Sequence, residues 1–180
     1  MSSFGELEWL RSTMEGFEQP WGVAGGWALS LFIGEKLREH ADVEIALFRP
    51  DQNLLRTFFA DWQFHYVPHS SGKLVTLGRA EWLAHPNHEM HASKGAQHLE
   101  ILLNERNQAL WQFRKNPSIT LPVEKTFLVT QSGLPVLAPE IVLLFKFFTR
   151  DPRPKDIADR ERVLPRLSPE RRRWLERHTK

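Results

Sequence analysis

Residues 22 to 49 read GVAGGWALSLFIGEKLREHADVEIALFR. In order, they give a glycine turn, a short apolar helix, a charged connector and a strand that opens with acid. Gly25-Gly26 heads the apolar segment Trp27 to Ile33, and Gly34 marks its C-terminal end. Past the connector, Asp42 and Glu44 alternate with Val43, Ile45 and Leu47. Side chains alternate across a strand, so the two carboxylates emerge on one face, roughly 7 Å apart along the backbone. Held that way they form half of a divalent-metal site. A glycine turn running into a helix N-terminus offers N–H groups to a phosphate with no side chain blocking the approach. Separately, these features read as a turn and as the wet face of a half-buried sheet. Together they point to chemistry on a nucleoside triphosphate.

A second acidic strand lies downstream. In His98 to Leu103, Leu99, Ile101 and Leu103 alternate with His98, Glu100 and Leu102, which puts Glu100 on a strand face where it can join Asp42 and Glu44 if the strands are neighbours. Glu105 and Glu89 are the other carboxylates in reach of that role. The run His85-Pro86-Asn87-His88-Glu89-Met90-His91 repeats imidazole every third residue, but it lacks H-E-x-x-H and Pro86 opposes the regular helix that motif needs. It reads as a loop near the substrate cleft.

Composition narrows the chemistry further. The 180 residues are 41% hydrophobic and 26% charged, enough to bury a core. No apolar run nears the ~18 residues of a membrane span, and the start MSSFGELEWLRSTMEGF is acidic and amphipathic, unlike a signal peptide. A cytoplasmic protein is expected. With no cysteine, disulfides, thiolate zinc sites and cysteine nucleophiles are excluded, so any metal is held by oxygen or imidazole. Net charge is +2, unevenly spread. Residues 150 to 180 hold eleven Lys or Arg against six Asp or Glu, a basic tail whose simplest reading is a solvated helix face around Arg171-Arg172-Arg173.

The remaining elements follow from periodicity and punctuation. Leu7, Leu10, Met14 and Phe17 predict an amphipathic helix over 5 to 17, and Trp21 to Ala24 a short strand. A helix from Asn53 to Trp62 follows the Arg49-Pro50-Asp51 turn. Short strands are expected at Gln63 to Pro68, Lys73 to Leu77 and Thr126 to Thr130. An apolar helix runs from Pro139 to Phe148, and helices over Asp156 to Val163 and Pro169 to His178 close the chain. The fold class is α/β (α+β): a small mixed sheet flanked by helices, with a core over 1–133 and a C-terminal helical segment over 134–180 packed on it.

The order G-G-W-A, a connector ending Arg38-Glu39-His40, then D-x-E in an apolar strand resembles the nucleotidyltransferase superfamily that includes DNA polymerase beta. Within it the pattern is most similar to the small aminoglycoside and lincosamide nucleotidyltransferases. The likeness recurs in HLEILLNE (98 to 105) and in LAPEIVLLFKFFTRDPRPKDIAD (137 to 159), and the middle of the chain matches poorly. Many relatives carry D-x-D where this chain has Asp42-Val43-Glu44; some aminoglycoside-modifying members use D-x-E.

The resemblance implies a magnesium-dependent transferase that moves a nucleoside monophosphate, AMP from ATP foremost, onto an acceptor hydroxyl and releases pyrophosphate. Asp42, Glu44 and Glu100 become the catalytic and metal-binding carboxylates, around two Mg2+ ions, with Glu100 either a ligand or the base. Gly25, Gly26 and Trp27 fall beside the nucleotide, and Arg38 and Lys146 become phosphate contacts. Lys155, Asp156 and Asp159 resemble the family's K-D-x-x-D signature, which also reads as a cap and intrahelical pairs. The acceptor is expected to be a small hydroxylated molecule such as an aminoglycoside- or lincosamide-like antibiotic, chosen by residues 62 to 97 and the helical tail. Alternatives are a transferase acting on RNA or protein, and a silent module that binds nucleotide without turnover.

Overall fold

The computed structural model describes residues 4–179. A 3-10 turn over Gly5–Leu7 leads into α1 (Glu8–Met14), then β1 (Trp21–Val23), α2 (Gly25–Ile33), β2 (Glu44–Phe48), α3 (Gln52–Phe58), β3 (Gln63–Tyr66) and β4 (Val75–Thr76). Next come β5 (Glu89–Lys94), the long β6 (Gln97–Asn107), β7 (Leu110–Gln112), β8 (Thr120–Pro122), β9 (Phe127–Val129) and β10 (Pro135–Leu137). Helices α4 (Pro139–Phe147), α5 (Pro154–Val163) and α6 (Pro169–His178) complete the described chain.

The strands form one mixed sheet in the order β4-β3-β5-β6-β2-β1-β10-β9, with β7 and β8 extending from the far half of β6. Pairs β2/β6 and β1/β10 are parallel and the other pairs antiparallel. Central β2 is buried from Ile45 through Phe48, as expected of a strand covered on both faces. Helix α2 buries Gly26 through Leu31 without interruption, so it behaves as a core helix and not a surface one. Its last turn closes on Gly34, whose backbone is left-handed (φ +88°) and whose N–H bonds to Ser30 O.

Helix α4 starts with Pro139 in its first turn and buries Ile141 to Leu144. Helix α6 is held to it by Arg171 on buried Glu140, while Arg172 donates to Leu164 O and Trp174 Nε1 to Thr120 O at 3.0 Å. Two of the three consecutive arginines of the tail thus tie helices together.

Four strands depart from the sequence expectation. Residues His85 to His91 were expected to loop, but Glu89–Lys94 is strand β5, paired with both β3 and β6. Its inner positions Met90 and Ala92 are buried while Glu89, His91 and Ser93 face the other way. Such a strand carries a polar face whose histidines and acid, without their partners β3 and β6, have the composition of a loop. Strands β7, β8 and β10 span three residues each, too short for a period to register. Because β10 pairs with both β1 and β9, the segment from 134 onward contributes a strand to the sheet before it turns helical.

Candidate active site

Strands β1 and β2 run antiparallel, so the C-terminal end of β1 meets the N-terminal end of β2, with Val23 opposite Ile45. That brings the glycine turn to the acidic motif. Ala24 N–H donates to Glu44 O at 2.8 Å, and a Cβ placed on Gly25 would overlap the Glu44 carboxylate. Gly25 also has φ +58°, a left-handed conformation that suits glycine. On Gly26 a Cβ would lie 2.5 Å from His40 and 2.6 Å from Arg38. Both glycines are therefore needed for side chains to close over the turn.

Sheet register brings a third carboxylate beside Glu44, although Asp42, Glu44 and Glu100 do not all gather to within 4.8 Å of one another as Glu89, His91 and Glu100 do. Glu44 is the partner of Glu100 across parallel strands β2 and β6, and Glu100 N–H reaches back to Val43 O at 3.0 Å. Asp42 lies two residues ahead of Glu44, just before β2 begins. On the other side of β6, His91 pairs with Glu100 and Glu89 with Leu102. One ligand atom from each of Glu89, His91 and Glu100 falls within 4.8 Å of the others.

These groups repel each other in a partly dry place. Burial raises the Glu44 pKa, aided by Glu89 and Asp42 and opposed by Lys146. Burial, then Glu89, Glu44 and Asp42, push Glu100 up to about 7. Clustered carboxylates destabilised in this way fit a hard divalent cation, which would relieve the repulsion through oxygen donors.

Asp42, Glu44, Glu100 and Glu89 line one cavity of about 420 Å³ together with Gly25, Gly26, Arg38 and Lys146. Its cationic wall is built by α5. Asp159 accepts two bonds from Arg38, both 3.2 Å, and sits 3.5 Å from Lys146 Nζ, while Asp156 bonds Lys146 and takes Arg153 Nε at 2.6 Å. Burial tends to raise the Asp156 pKa, but the bonds from Arg153 and Lys146 overcome it and the net shift is downward. So two buried carboxylates hold three cations at the rim of the cavity.

His40 is set in the connector by Ser30, whose hydroxyl is 3.0 Å from Nε2 and also accepts Leu37 N–H at 3.1 Å. Burial, helped by Arg38, lowers the His40 pKa to about 4, which keeps the ring neutral.

The geometry can be compared with solved structures. The crystal structure of ANT(2'')-Ia in complex with adenylyl-2''-tobramycin superposes with a TM-score of 0.64 at 12% identity, covering 98% of this chain and 96% of that one. The solution structure of ANT(2'')-Ia gives 0.61 at 13% identity over 98% and 91%. The lincomycin-bound lincosamide antibiotic adenylyltransferase LnuA gives 0.57 at 18% over 88% and 94%. The fold is that of the antibiotic nucleotidyltransferases. No protein-family model matches the chain, and no curated protein matches it by sequence.

Within this nucleotidyltransferase fold, Gly25, Gly26, Arg38, Asp42, Glu44, Glu100 and Lys146 share one cavity. Trp27 does not reach it. Its ring is buried, 4.5 Å from the His40 ring and 6.5 Å from Phe4, and its N–H has no hydrogen-bond partner among the described residues. One helical step beyond Gly26 turns the side chain away from the turn into the core. Glu105 is also turned elsewhere, held by Arg49 at 2.7 Å. Sequence reasoning missed His40, Arg153, His88, Asn104 and Arg114 as lining residues. His40 and Arg153 flank motifs already singled out, whereas Arg114 lies in an unmatched stretch and carries no signal.

Proposed function

We propose that the protein is a magnesium-dependent nucleotidyltransferase that transfers AMP from ATP to a hydroxyl of a small acceptor, releasing pyrophosphate. The observation that carries this reading is the in-register pairing of Glu44 with Glu100 beside Asp42, in the same cavity as Gly25-Gly26. The nucleotidyltransferase-fold neighbours, one with adenylyl-2''-tobramycin and one with lincomycin, support a small-molecule acceptor.

Asp42, Glu44 and Glu100 would hold Mg2+, which when bound supplies positive charge to the entering and leaving oxygens at the α-phosphorus. The rest is the work of the chain. The acceptor hydroxyl attacks in line, a new P–O bond forms, and the bond from the α-phosphorus to the bridging oxygen breaks. The proton leaves the hydroxyl for a carboxylate of the same cavity, either Glu100, where Asp42 and Glu44 alone hold the metal, or Glu89. Lys146, Arg153 and Arg38 neutralise the departing pyrophosphate, kept in place by Asp156 and Asp159. Gly25 and Gly26 bring no side chain of their own to the start of α2, so the cavity reaches the backbone there for phosphate oxygens to approach.

Labelled ATP incubated with Mg2+ and separate pools of hydroxylated antibiotics, tRNA and protein tests the reading. Label is expected in the small-molecule pool alone and in none with Asp42→Ala. Label in tRNA or protein would move the acceptor to a macromolecule, and absence of Mg·ATP binding by the wild type would remove the reading.

A further inference from the structure

The cavity extends well past the carboxylates. Along β6, Asn104 is four residues beyond Glu100, about 13 Å at the rise of a strand. Its side chain is fixed, accepting from Trp111 Nε1 at 3.0 Å and donating to Leu102 O at 3.2 Å. Beside it the chain leaves β7, where Gln112 pairs with Glu105, and reaches Arg114. The guanidinium carbon of Arg114 lies 4.8 Å from the centre of the Phe145 ring of α4. Among the described residues Arg114 makes no hydrogen bond and no ion pair. Glu89 and Glu105 attract it only at longer range, and Glu105 is already taken by Arg49.

A half-buried guanidinium laid on an aromatic face has a fixed plane and five donors, and this one has no protein acceptor for them. Arg38, Lys146 and Arg153, the cations assigned to the triphosphate, are each paired with Asp156 or Asp159 of α5, whereas Arg114 in the same cavity is paired with neither. We infer that Arg114, shelved on Phe145, is an acceptor-recognition residue that selects hydroxylated acceptors carrying an anionic oxygen group such as a carboxylate. This rests on the transfer reading above and deepens it. A polycationic acceptor would meet a like charge at Arg114. Neighbouring His88 adds no second cation, because burial and then Arg114 itself hold its pKa at about 4. Asn104, already bonded on both sides of its amide, keeps the floor rigid beneath the shelf.

The test uses hydroxylated sugar acids and hydroxy acids, each beside its own primary amide, with the full-length protein. Ligand-detected NMR without nucleotide reads binding, and pyrophosphate release from Mg·ATP reads transfer. Wild type is expected to favour acids over amides at least tenfold. Arg114→Gln should erase that preference and Arg114→Lys restore part of it, with Mg·ATP affinity changed less than twofold in both. Equal treatment of acid and amide by wild type, binding of neither, or a matching fall in Mg·ATP affinity in Arg114→Gln would overturn the assignment. Acid binding that depends on Arg114 without any transfer would instead keep the subsite and sink the transferase reading.

Discussion

Glu44 and Glu100 face each other in register across two parallel strands, so the sheet itself brings their carboxylates together. Neighbouring strands lie about 4.8 Å apart, too close for two anions without compensation. Glu100→Gln removes one charge from that cluster. In chelator-treated protein it should leave stability unchanged or raise it by about 0.5–1 kcal/mol, while transfer falls by about 10²–10³-fold. Urea midpoints beside pyrophosphate-release rates check both halves, and a large loss of stability would show that the pair is structural.

Gly25 combines a left-handed backbone with a side-chain position already filled by Glu44. Gly25→Ala should cost about 1–2 kcal/mol from backbone conformation and also push Glu44 aside, lowering transfer about 10²-fold. Gly34 shares the left-handed backbone (φ +88°) but has nothing within 4 Å of a Cβ. Gly34→Ala should therefore lose similar stability and keep the wild-type rate. Equal rates for the two variants would separate the glycine turn from catalysis.

The α5 carboxylates make the cationic wall acid-sensitive. The Asp156 pKa is lowered on folding, so its stabilisation is present above the unfolded value near 3.8 and is lost as pH falls below it toward the folded pKa. Asp156→Asn should cost about 3 kcal/mol at pH 7, since Lys146 keeps only Asp159. The cost should shrink below pH 4. Denaturant unfolding of both proteins between pH 7 and pH 3 measures it, and a difference constant across that range would contradict the assignment.

Trp27 is next to the glycine turn in sequence and away from the cavity in space. Trp27→Phe keeps the ring packing and removes a buried N–H that lacks a partner, so stability should shift by less than about 1 kcal/mol. Mg·ATP affinity should stay within about twofold, as read by calorimetry. A tenfold loss of affinity would return Trp27 to the nucleotide site.

The parts legible in the sequence were those written in local code. The glycine turn, the strand that follows Asp42 and the alternation around Glu100 are each readable from a few consecutive residues, although β2 begins at Glu44 and leaves Asp42 just before it, and the proline-led helices α4 and α6 announce their own starts. What was not legible depends on distant pairing. Strand β5 exists because β3 and β6 flank it, and its cavity-lining Glu89 and the neighbouring His91 look polar and loop-like in isolation. Asp156 and Asp159 show helical spacing, but the hold of Asp159 on Arg38, more than a hundred residues earlier, appears only when α5 docks. Trp27 is the converse case, next to the glycine turn in sequence while helical rotation points its ring into the core.

The central claim is that Asp42, Glu44 and Glu100 hold a divalent cation that the nucleotide needs. Isothermal titration calorimetry of ATP into wild type and Asp42→Ala, with Mg2+ and with EDTA, tests it most directly. Wild type is predicted to bind ATP with Mg2+ and at least tenfold more weakly in EDTA, and Asp42→Ala to show the weak value in both. Binding that ignores Mg2+ and Asp42 alike would contradict it.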